Sequence, residues 1–341
     1  MITVLVSLIS DQTIPNLLFI KEKQSQVDKY LFLTTPEMEA KNKIVSIIEA
    51  AGISQEKAAR IQVEEDHVLG IIDKLGKADY HNSTDHQFLV NLTGGTKLMS
   101  LAVYEYFRKC NSIFYYLPIG KNQVLELDKK FNQQTHPIKT RLSLYAYLIA
   151  SGISYSVKGK FVFSQSQCFE IFERYRKTHF RFDEFPIALA LRMASAPVRE
   201  ENVRGAWFEE FVFYQIREQL NLSSESIASS VKIYQDKQVP YNDNEFDVMF
   251  VRDNALFVIE CKVSLSGGNQ KSKLDNSLQK LGAISKNFGL RTNSYIFTLS
   301  NLHNRPGEFN ERLLRRCEVL NVKPPVDMRS FKNEIKMNEI F

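Results

Sequence analysis

Three charged residues, Asp247, Glu260 and Lys262, lie within a stretch of sequence that is otherwise typical of a buried sheet. The stretch, residues 245–264, reads EFDVMFVRDNALFVIECKVS. An unpaired buried charge is costly, so such groups are normally paired, bound to a metal ion or open to a cleft. The three residues therefore indicate a chemical site, and the elements around them decide which chemistry it can perform.

The stretch predicts a β-hairpin that brings the two acids together. Asp253 and Asn254 suit a two-residue turn, because both residue types accept a positive φ. A hairpin centred on this turn places Asp247 directly opposite Glu260. The alternation of side chains along a strand then puts Lys262 on the same face as Glu260.

Two carboxylates at cross-strand distance repel each other, and a divalent cation removes that conflict. Oxygen ligands from Asp247 and Glu260, with the Cys261 carbonyl as a further ligand, favour a hard ion such as Mg²⁺ or Mn²⁺. Such an ion lowers the pKa of a bound water and stabilises charge on a phosphoryl group. Lys262 has three possible tasks: to hold that water, to deprotonate it, or to neutralise the developing negative charge.

Two flanking helices offer further candidates for this site. Upstream, GAWFEEFVFYQI predicts a helix on which Trp207 and Phe211 are packing residues and Glu209 and Glu210 are adjacent acids. We expect one acid to face the site, with Glu210 preferred; the alternative is that both are solvated. Downstream, a second helix carries Gln279.

The N-terminal third of the sequence alternates between strand-like and helical patterns. Such alternation predicts a mostly parallel sheet with helices on both faces. Residues 36–50 read as one helix that opens with a capping Thr35 and Pro36. The predicted strands are 3–9, 29–35, 60–65, 87–92, 112–119 and 123–128.

Three of these strands end in similar polar residues. Ser10 and Asp11 follow the first, Thr34 ends the second, and NLTGGTK at 91–97 ends the fourth. In a sheet of this kind ligands bind beyond the carboxyl ends of the strands, and a glycine turn before a helix favours an anion. An anion site and a tight turn with a capping threonine fit this pattern equally well. It is neither GxGxxG nor a P-loop.

Composition excludes several other classes of protein. The net charge of +5 lies wholly after residue 139, since residues 1–139 contain 16 basic and 16 acidic residues, and this weakly favours a polyanion partner for the C-terminal part. The four cysteines and six histidines show no zinc spacing and predict reduced thiols in a cytoplasmic protein. The apolar start lacks a basic n-region, and no window approaches the roughly 18 apolar residues of a membrane span.

Residues 203–300 resemble the PD-(D/E)XK nuclease core. The similarity rests on Asp247, the run Glu260-Cys261-Lys262, the Glu-bearing helix before them and the helix with Gln279 after them. The proline of the motif is absent, because Phe246 precedes the aspartate. The resemblance implies that Asp247, Glu260 and Lys262 are catalytic, together with Glu210 and Gln279.

The N-terminal part resembles a CARF domain, on the strand that ends in Ser10-Asp11 and on NLTGGTK before a helix. The whole chain is therefore similar to the CARF–nuclease effectors of type III CRISPR defence that respond to cyclic oligoadenylate. The resemblance implies a homodimer that holds the messenger, expected to be cyclic tetra-adenylate, and cleaves DNA or RNA with a metal ion. The implied ligand residues are Ser10, Asp11, Thr34, Thr93, Gly94, Gly95, Thr96 and Lys97.

The expected architecture is α/β in three parts. A Rossmann-like CARF domain spans 1–139, a small helical, winged-helix-like connector spans 140–200, and a restriction-endonuclease-like α/β domain spans 201–341. In the connector, ISYSVKGKFVFS predicts a hairpin around Lys158-Gly159.

Two other functions stay open. One is a ligand-responsive regulator that binds nucleic acid through a nuclease fold without cutting, although all three charged residues are present. The other is a constitutive repair or restriction nuclease whose N-terminal domain only dimerises, although three of its strands end in hydroxyl-bearing turns.

Overall fold

The computed structural model describes residues 1–78, 85–157, 159–234, 244–265, 270–305, 308–309, 311–332 and 335–341. These residues form two compact units. The first comprises Met1–Ile153 with Gly289–Arg291, and the second comprises Ser154–Phe288 with Thr292–Phe341. None of the helices in the described ranges is long and apolar enough to cross a membrane.

The first unit is built on a seven-stranded sheet of order β3-β2-β1-β4-β5-β6-β7. Strands β1 to β5 are parallel, and β6 and β7 continue the sheet antiparallel. The direction of winding reverses between β1 and β4, which is the position where such sheets bind ligands. The elements are β1 Ile2–Leu8, α1 Thr13–Lys23, β2 Lys29–Thr34, α2 Pro36–Ala40, α3 Lys43–Ala51, β3 Ala58–Gln62, α4 Val68–Lys77, β4 His86–Asn91, α5 Lys97–Phe107, β5 Ser112–Tyr116, β6 Gln123–Leu127, β7 Gln133–Pro137 and α6 Leu144–Ala150.

The six predicted strands of this unit all form, with bounds shifted by a few residues. The single helix predicted over 36–50 is instead two helices, because Asn42 adopts the left-handed conformation (φ 53°) and interrupts it. Thr35 caps α2 as expected, accepting a hydrogen bond from the Met38 amide. Strand β7 was not predicted, since its sequence QQTHP is exposed along its length and has no apolar alternation.

The second unit is built on a five-stranded sheet of order β12-β11-β10-β9-β8. Strand β12 runs parallel to β11, and the other neighbours are antiparallel. The elements are β8 Ser154–Ser156, α7 Gln165–Lys177, α8 Ile187–Met193, α9 Glu200–Gln219, β9 Ile227–Tyr234, β10 Asn244–Arg252, β11 Ala255–Lys262, α10 Gln270–Ser285, β12 Thr292–Thr298, β13 His303–Arg305, β14 Glu308–Phe309, α11 Glu311–Val319, α12 Met328–Lys332 and α13 Met337–Ile340.

An aromatic core fixes helix α9 against the rest of the second unit. Trp207 is fully buried and donates its indole N–H to the Cys168 carbonyl at 3.0 Å. Phe211 stacks on Phe172 of α7 with ring centroids 4.4 Å apart. Large buried aromatic side chains contribute strongly to packing, so α9 is held at a defined rotation about its own axis. That rotation decides which of its acidic side chains can reach the sheet.

The residues of the expected connector, 140–200, are divided between the two units. Helix α6 packs on α1 and α3 in the first unit, whereas α7 and α8 pack on α9 in the second. The hairpin expected in this region is not formed in its described part, from which Lys158 is excluded. One short strand, β8, pairs with β9 instead, because the longer sheet offers a ready edge.

Candidate active site and ligand site

The hairpin of the second unit has the predicted turn and register. Asp253 and Asn254 both have positive φ, at 50° and 59°. The strands β10 and β11 pair from Arg252↔Ala255 outward to Val248↔Ile259. Asp247 and Glu260 are the next residues outward on the two strands. The Cys261 amide donates a hydrogen bond of 2.5 Å to the Asp247 carboxylate, which fixes the orientation of that side chain.

The Glu260 carboxylate is buried, at 5% exposure, and each of its oxygens meets a lysine. Oε1 lies 2.7 Å from Nζ of Lys262, and Oε2 lies 2.8 Å from Nζ of Lys280. A buried carboxylate needs such partners to remain ionised. Glu260 and Lys262 are thus brought together as predicted, and Lys280 is an additional member of the site.

The role of Gln279 on α10 stays a prediction, and a neighbouring residue makes the contact that the structure shows. Gln279 is exposed, and its neighbour Lys280 makes the contact with Glu260. Successive residues on a helix point about 100° apart, so only one of these two side chains can face the sheet. Leu278 and Leu281 mark the packed face of α10, and beside that face Gln279 is exposed whereas Lys280 is half-buried.

Glu210, the preferred acid on α9, has its carboxylate oxygens engaged by backbone amides. Glu210 is buried and accepts hydrogen bonds of 2.7 Å from the Val162 and Phe163 amides, so it anchors the segment before α7. Glu209 is the acid whose charge acts on Asp247 and Cys261. The aromatic packing of α9 sets this choice, and two adjacent glutamates in a sequence carry no signal that distinguishes them.

Three acids therefore act on one another at the end of this hairpin. Burial raises the pKa of Asp247 well above its usual range, and the charges of Glu209 and Glu260 raise it further, against the opposing effects of Lys262 and the Cys261 amide. Burial lowers the pKa of Lys262, but Glu260 and Asp247 outweigh it and the net pKa is raised. Lys262 is therefore protonated at neutral pH.

The donor chemistry of this site fits a hard divalent cation. Glu209, Asp247 and Glu260 carry carboxylate oxygens, which such an ion prefers, and burial together with the two neighbouring acids raises the pKa of Asp247. Burial raises the pKa of the Cys261 thiol, which disfavours a thiolate ligand and leaves its carbonyl as the candidate. No three His, Cys, Asp or Glu side chains among the described residues already form a metal-holding group. Both carboxylate oxygens of Glu260 contact lysines, so a cation bound there would compete with those ion pairs.

In the first unit, the carboxyl ends of β1, β2 and β4 meet at the reversal of the sheet. Ser7 of β1 pairs with Phe32 of β2 on one side and with Asn91 of β4 on the other. The loops that follow these strands therefore share one edge. This register brings the loops carrying Ser10-Asp11 and residues 93–97 to that edge.

A buried network of amides supports the edge. Asn91 donates to Ser7 Oγ and to Asn16 Oδ1, each at 3.3 Å, and Asn16 donates to the Leu8 carbonyl at 2.8 Å. The Asn91 side chain also accepts a hydrogen bond from the Thr93 amide at 3.0 Å. Asn16 and Asn91 were not among the predicted residues, because an isolated asparagine carries no distinguishing pattern.

The predicted threonines serve the backbone. Thr93 Oγ1 accepts from the Leu117 amide at 2.8 Å. Thr96 caps α5 by accepting from the Met99 amide at 3.2 Å, and it donates to the Glu65 carbonyl at 2.9 Å. Thr34 is fully buried. The capping-turn interpretation of this motif is therefore satisfied, and the predicted ligand role of Ser10, Asp11, Thr34, Thr93, Gly94, Gly95, Thr96 and Lys97 stays a prediction.

Two lysines that sequence reasoning missed lie at the same edge. Lys41 Nζ contacts both carboxylate oxygens of Asp11 at 3.0 Å, and Lys43 Nζ lies 3.8 Å from Asp11. Burial lowers the pKa of Lys43, and Asp11 opposes that effect. Together with the exposed Lys97, these side chains give the edge a cationic character suited to phosphates. In the sequence, the run Lys41-Asn42-Lys43 is the feature that could have indicated these two lysines.

Two family models match this chain. The family model for the Card1 CARF domain matches residues 4–147, and the model for the Card1-like endonuclease domain matches residues 198–329. No curated protein matches the chain.

Three solved structures share the fold over most of this chain. Protein VC1899 from Vibrio cholerae is 15% identical, with a TM-score of 0.76, over 99% of this chain and 97% of that one. Can2 from Sulfobacillus thermosulfidooxidans, in complex with cyclic tetra-adenylate, is 16% identical, with a TM-score of 0.71, over 99% and 96%. A type III CRISPR defence DNA nuclease activated by cyclic oligoadenylate is 15% identical, with a TM-score of 0.59, over 93% and 51%.

Replacing Asp247 should stabilise the metal-free protein. The pKa of Asp247 in the folded state exceeds the ordinary 3.8, so the folded state binds the proton more tightly than the unfolded state does. The wild type therefore loses stability as pH rises from about 4 towards the raised pKa. Asp247→Asn keeps an acceptor for the Cys261 amide without the charge. We expect a gain of about 1–2 kcal/mol in the free energy of unfolding at neutral pH in EDTA, growing with pH across that window. Urea unfolding at several pH values measures it, with Asp253→Asn in the exposed turn as control; equal pH profiles for Asp247→Asn and wild type would contradict the assignment.

Gly94 should tolerate no side chain. A Cβ at this position would lie 1.9 Å from the Leu8 carbonyl oxygen, which is backbone and cannot move aside cheaply. We expect Gly94→Ala to lower the free energy of unfolding by about 1–3 kcal/mol. Gly76→Ala on α4 is the matched control, because its Cβ meets nothing within 4 Å and alanine favours the helix. Denaturant unfolding that finds Gly94→Ala as stable as wild type would refute the close approach.

Proposed function

We propose that this chain, which carries a Card1 CARF domain followed by a Card1-like endonuclease domain, is a metal-dependent endonuclease switched on by a cyclic oligoadenylate in type III CRISPR defence. The predicted pairing of a CARF domain with an endonuclease domain is confirmed by these matches. The observation that carries the metal-dependent step is the buried Glu260, ion-paired with Lys262 and adjacent to the Asp247 carboxylate. Without function in catalysis, such a cluster would be a costly use of a sheet core.

The residues of the hairpin divide the work of phosphodiester cleavage. A Mg²⁺ or Mn²⁺ ion held by Asp247, Glu260, Glu209 and the Cys261 carbonyl would supply an activated water and neutralise charge on the phosphoryl group. The Cys261 amide keeps the Asp247 carboxylate pointed at that position. Lys262 is protonated in the resting site, so we assign it to stabilising negative charge rather than to accepting a proton.

The messenger would bind at the edge formed by the ends of β1, β2 and β4. Lys41, Lys43 and Lys97 would supply positive charge for the phosphates of a cyclic oligoadenylate, and the backbone N–H groups of Gly94-Gly95 are candidate donors to them. Asp11 can accept hydrogen bonds from ribose hydroxyl or adenine amino groups. That Can2 was solved with cyclic tetra-adenylate supports this messenger.

A homodimer would place two such edges around one ligand. Cyclic tetra-adenylate has a two-fold axis, so two copies of the chain related by that axis can contact equivalent halves of it. Helices α4 and α5 pack on each other beside the edge and expose Leu69, Leu98 and Leu101. Clustered exposed apolar side chains favour a protein interface. We assign these three leucines to the dimer contact.

Activation requires that the messenger bind the active arrangement more tightly than the resting one. A coupling of about 1–3 kcal/mol would change the activity about 5- to 150-fold. DNA and RNA both remain candidate substrates, and the first test therefore presents both.

Cleavage should need both the messenger and the intact hairpin. Labelled single-stranded RNA, single-stranded DNA and supercoiled plasmid are incubated with the full chain in Mn²⁺, with and without cyclic tetra-adenylate. We expect Glu260→Gln and Lys262→Ala to reduce the messenger-dependent rate by at least about 100-fold, because both act on charge in the transition state. Messenger binding without cutting would favour a regulator, and cutting indifferent to the messenger would favour a constitutive nuclease.

Negative charge introduced at the proposed dimer contact tests it. Leu98→Glu combined with Leu101→Glu buries two carboxylates in the proposed interface and should convert a dimer to a monomer, which light scattering measures. Val319→Glu is the control, since Val319 is exposed on α11. A double variant that keeps the wild-type mass would place the contact elsewhere.

A further inference from the structure

Lys280 occupies a position that the ion pair with Glu260 alone does not explain. Its Nζ lies 2.8 Å from Glu260 Oε2 and 2.6 Å from the carbonyl oxygen of Glu245, at the start of β10. It also lies over the Phe246 ring, 5.0 Å from the centroid. A lysine ammonium has three donors, and the carbonyl and the ring hold it in place whatever Glu260 does.

The ammonium of Lys280 is within reach of a ligand. Its side chain is 27% exposed, compared with 6% for that of Glu260. A second lysine, Lys232 of β9, lies 3.9 Å from the Glu245 carboxylate at the start of β10. A strand of nucleic acid that places one phosphate at Glu260 would find positive charge next to it.

Lys262 and Lys280 differ in what would break their ion pairs with Glu260. A divalent cation held by Glu260 would compete with Lys280 for Oε2 if Lys262 kept its contact with Oε1. When a cation takes that oxygen, Lys280 loses one acceptor while the Glu245 carbonyl and Phe246 still hold it near the site. Its released N–H then points to the nearest available anion.

We propose that Lys280 is a substrate-phosphate-binding residue: it neutralises Glu260 before a divalent cation engages, and then transfers that hydrogen bond to a phosphate of the nucleic acid. This inference rests on the metal-dependent nuclease proposed above. It predicts that loss of the Lys280 ammonium strengthens the binding of the cation and weakens the binding of nucleic acid. Removing the ammonium takes away a competitor for the cation and at the same time a contact for the substrate.

A tether between α10 and β10 would behave differently. If Lys280 served only to hold the helix, its loss would loosen Glu260 and weaken the binding of cation and nucleic acid together. The two explanations therefore predict different directions for the same measurement, the affinity for Mn²⁺.

The experiment compares the full chain with Lys280→Met, which keeps the apolar stem over Phe246, and Lys280→Arg, which keeps the charge. Calorimetry measures Mn²⁺ binding, and fluorescence anisotropy measures binding of a labelled single-stranded DNA in Ca²⁺ with cyclic tetra-adenylate, over a range of KCl concentrations. Lys323→Met, which removes an exposed lysine of the same unit, is the control. Thermal unfolding confirms that each variant is folded.

We expect Lys280→Met to bind Mn²⁺ about three- to tenfold more tightly, because a like charge beside the ion is gone. We expect its DNA affinity to fall about tenfold and the slope of log affinity against log salt to decrease by about 1, which is one phosphate contact. Lys280→Arg should retain the wild-type slope. Supercoiled plasmid cut more slowly by Lys280→Met than by wild type completes the expected pattern.

Two results would overturn the inference alone: weaker Mn²⁺ binding by Lys280→Met, or an unchanged DNA affinity and salt slope, in each case with a wild type that binds Mn²⁺ and cuts. A wild type that neither binds Mn²⁺ nor cuts any nucleic acid would instead overturn the proposed function, and the inference with it.

Discussion

The second unit depends on one constraint: the carboxylate of Glu260 is buried and must be balanced by positive charge. Strand β11 carries Glu260 next to buried apolar residues such as Val258 and Ile259, where burial of an unpaired carboxylate would be too costly. Lys262, two residues along the same face, supplies one partner, and Lys280 from α10 supplies the other. Both lysines are directed at the Glu260 carboxylate, as this requirement predicts. The positive charge of Lys262 and Lys280 also makes the site suitable for phosphodiester chemistry.

The hairpin was predictable because its information is local. Asp253 and Asn254 accept positive φ, and the period of two along each strand fixes which side chains meet. Once the turn is placed, Asp247 and Glu260 have no freedom to be elsewhere. The strands of the first unit were predictable for a related reason, since buried parallel strands appear as continuous apolar runs.

Sequence reasoning was weakest for helices and long-range contacts. Glu209 and Glu210 differ by about 100° around α9, and the rotation of α9 is set by aromatic contacts such as Phe172 with Phe211, which lie far apart in sequence. Gln279 and Lys280 pose the same problem on α10. Asn16 and Asn91 meet only after the sheet has formed. The missed residues thus share one property, which is that their roles depend on tertiary packing rather than on spacing.

The two candidate sites share a resting arrangement. Asp11 is paired with Lys41 and Lys43 at the edge of the first sheet, and Glu260 is paired with Lys262 and Lys280 in the second. In each, an acid contacts two lysines, and in the proposed function those lysines are the groups that meet an incoming phosphate. A ligand therefore exchanges partners in a formed ion cluster instead of entering an unbalanced one. Because the ion pairs are already formed, the free energy of binding is the difference between the old contacts and the new ones. A ligand with the wrong charge or spacing would break the old contacts without making new ones.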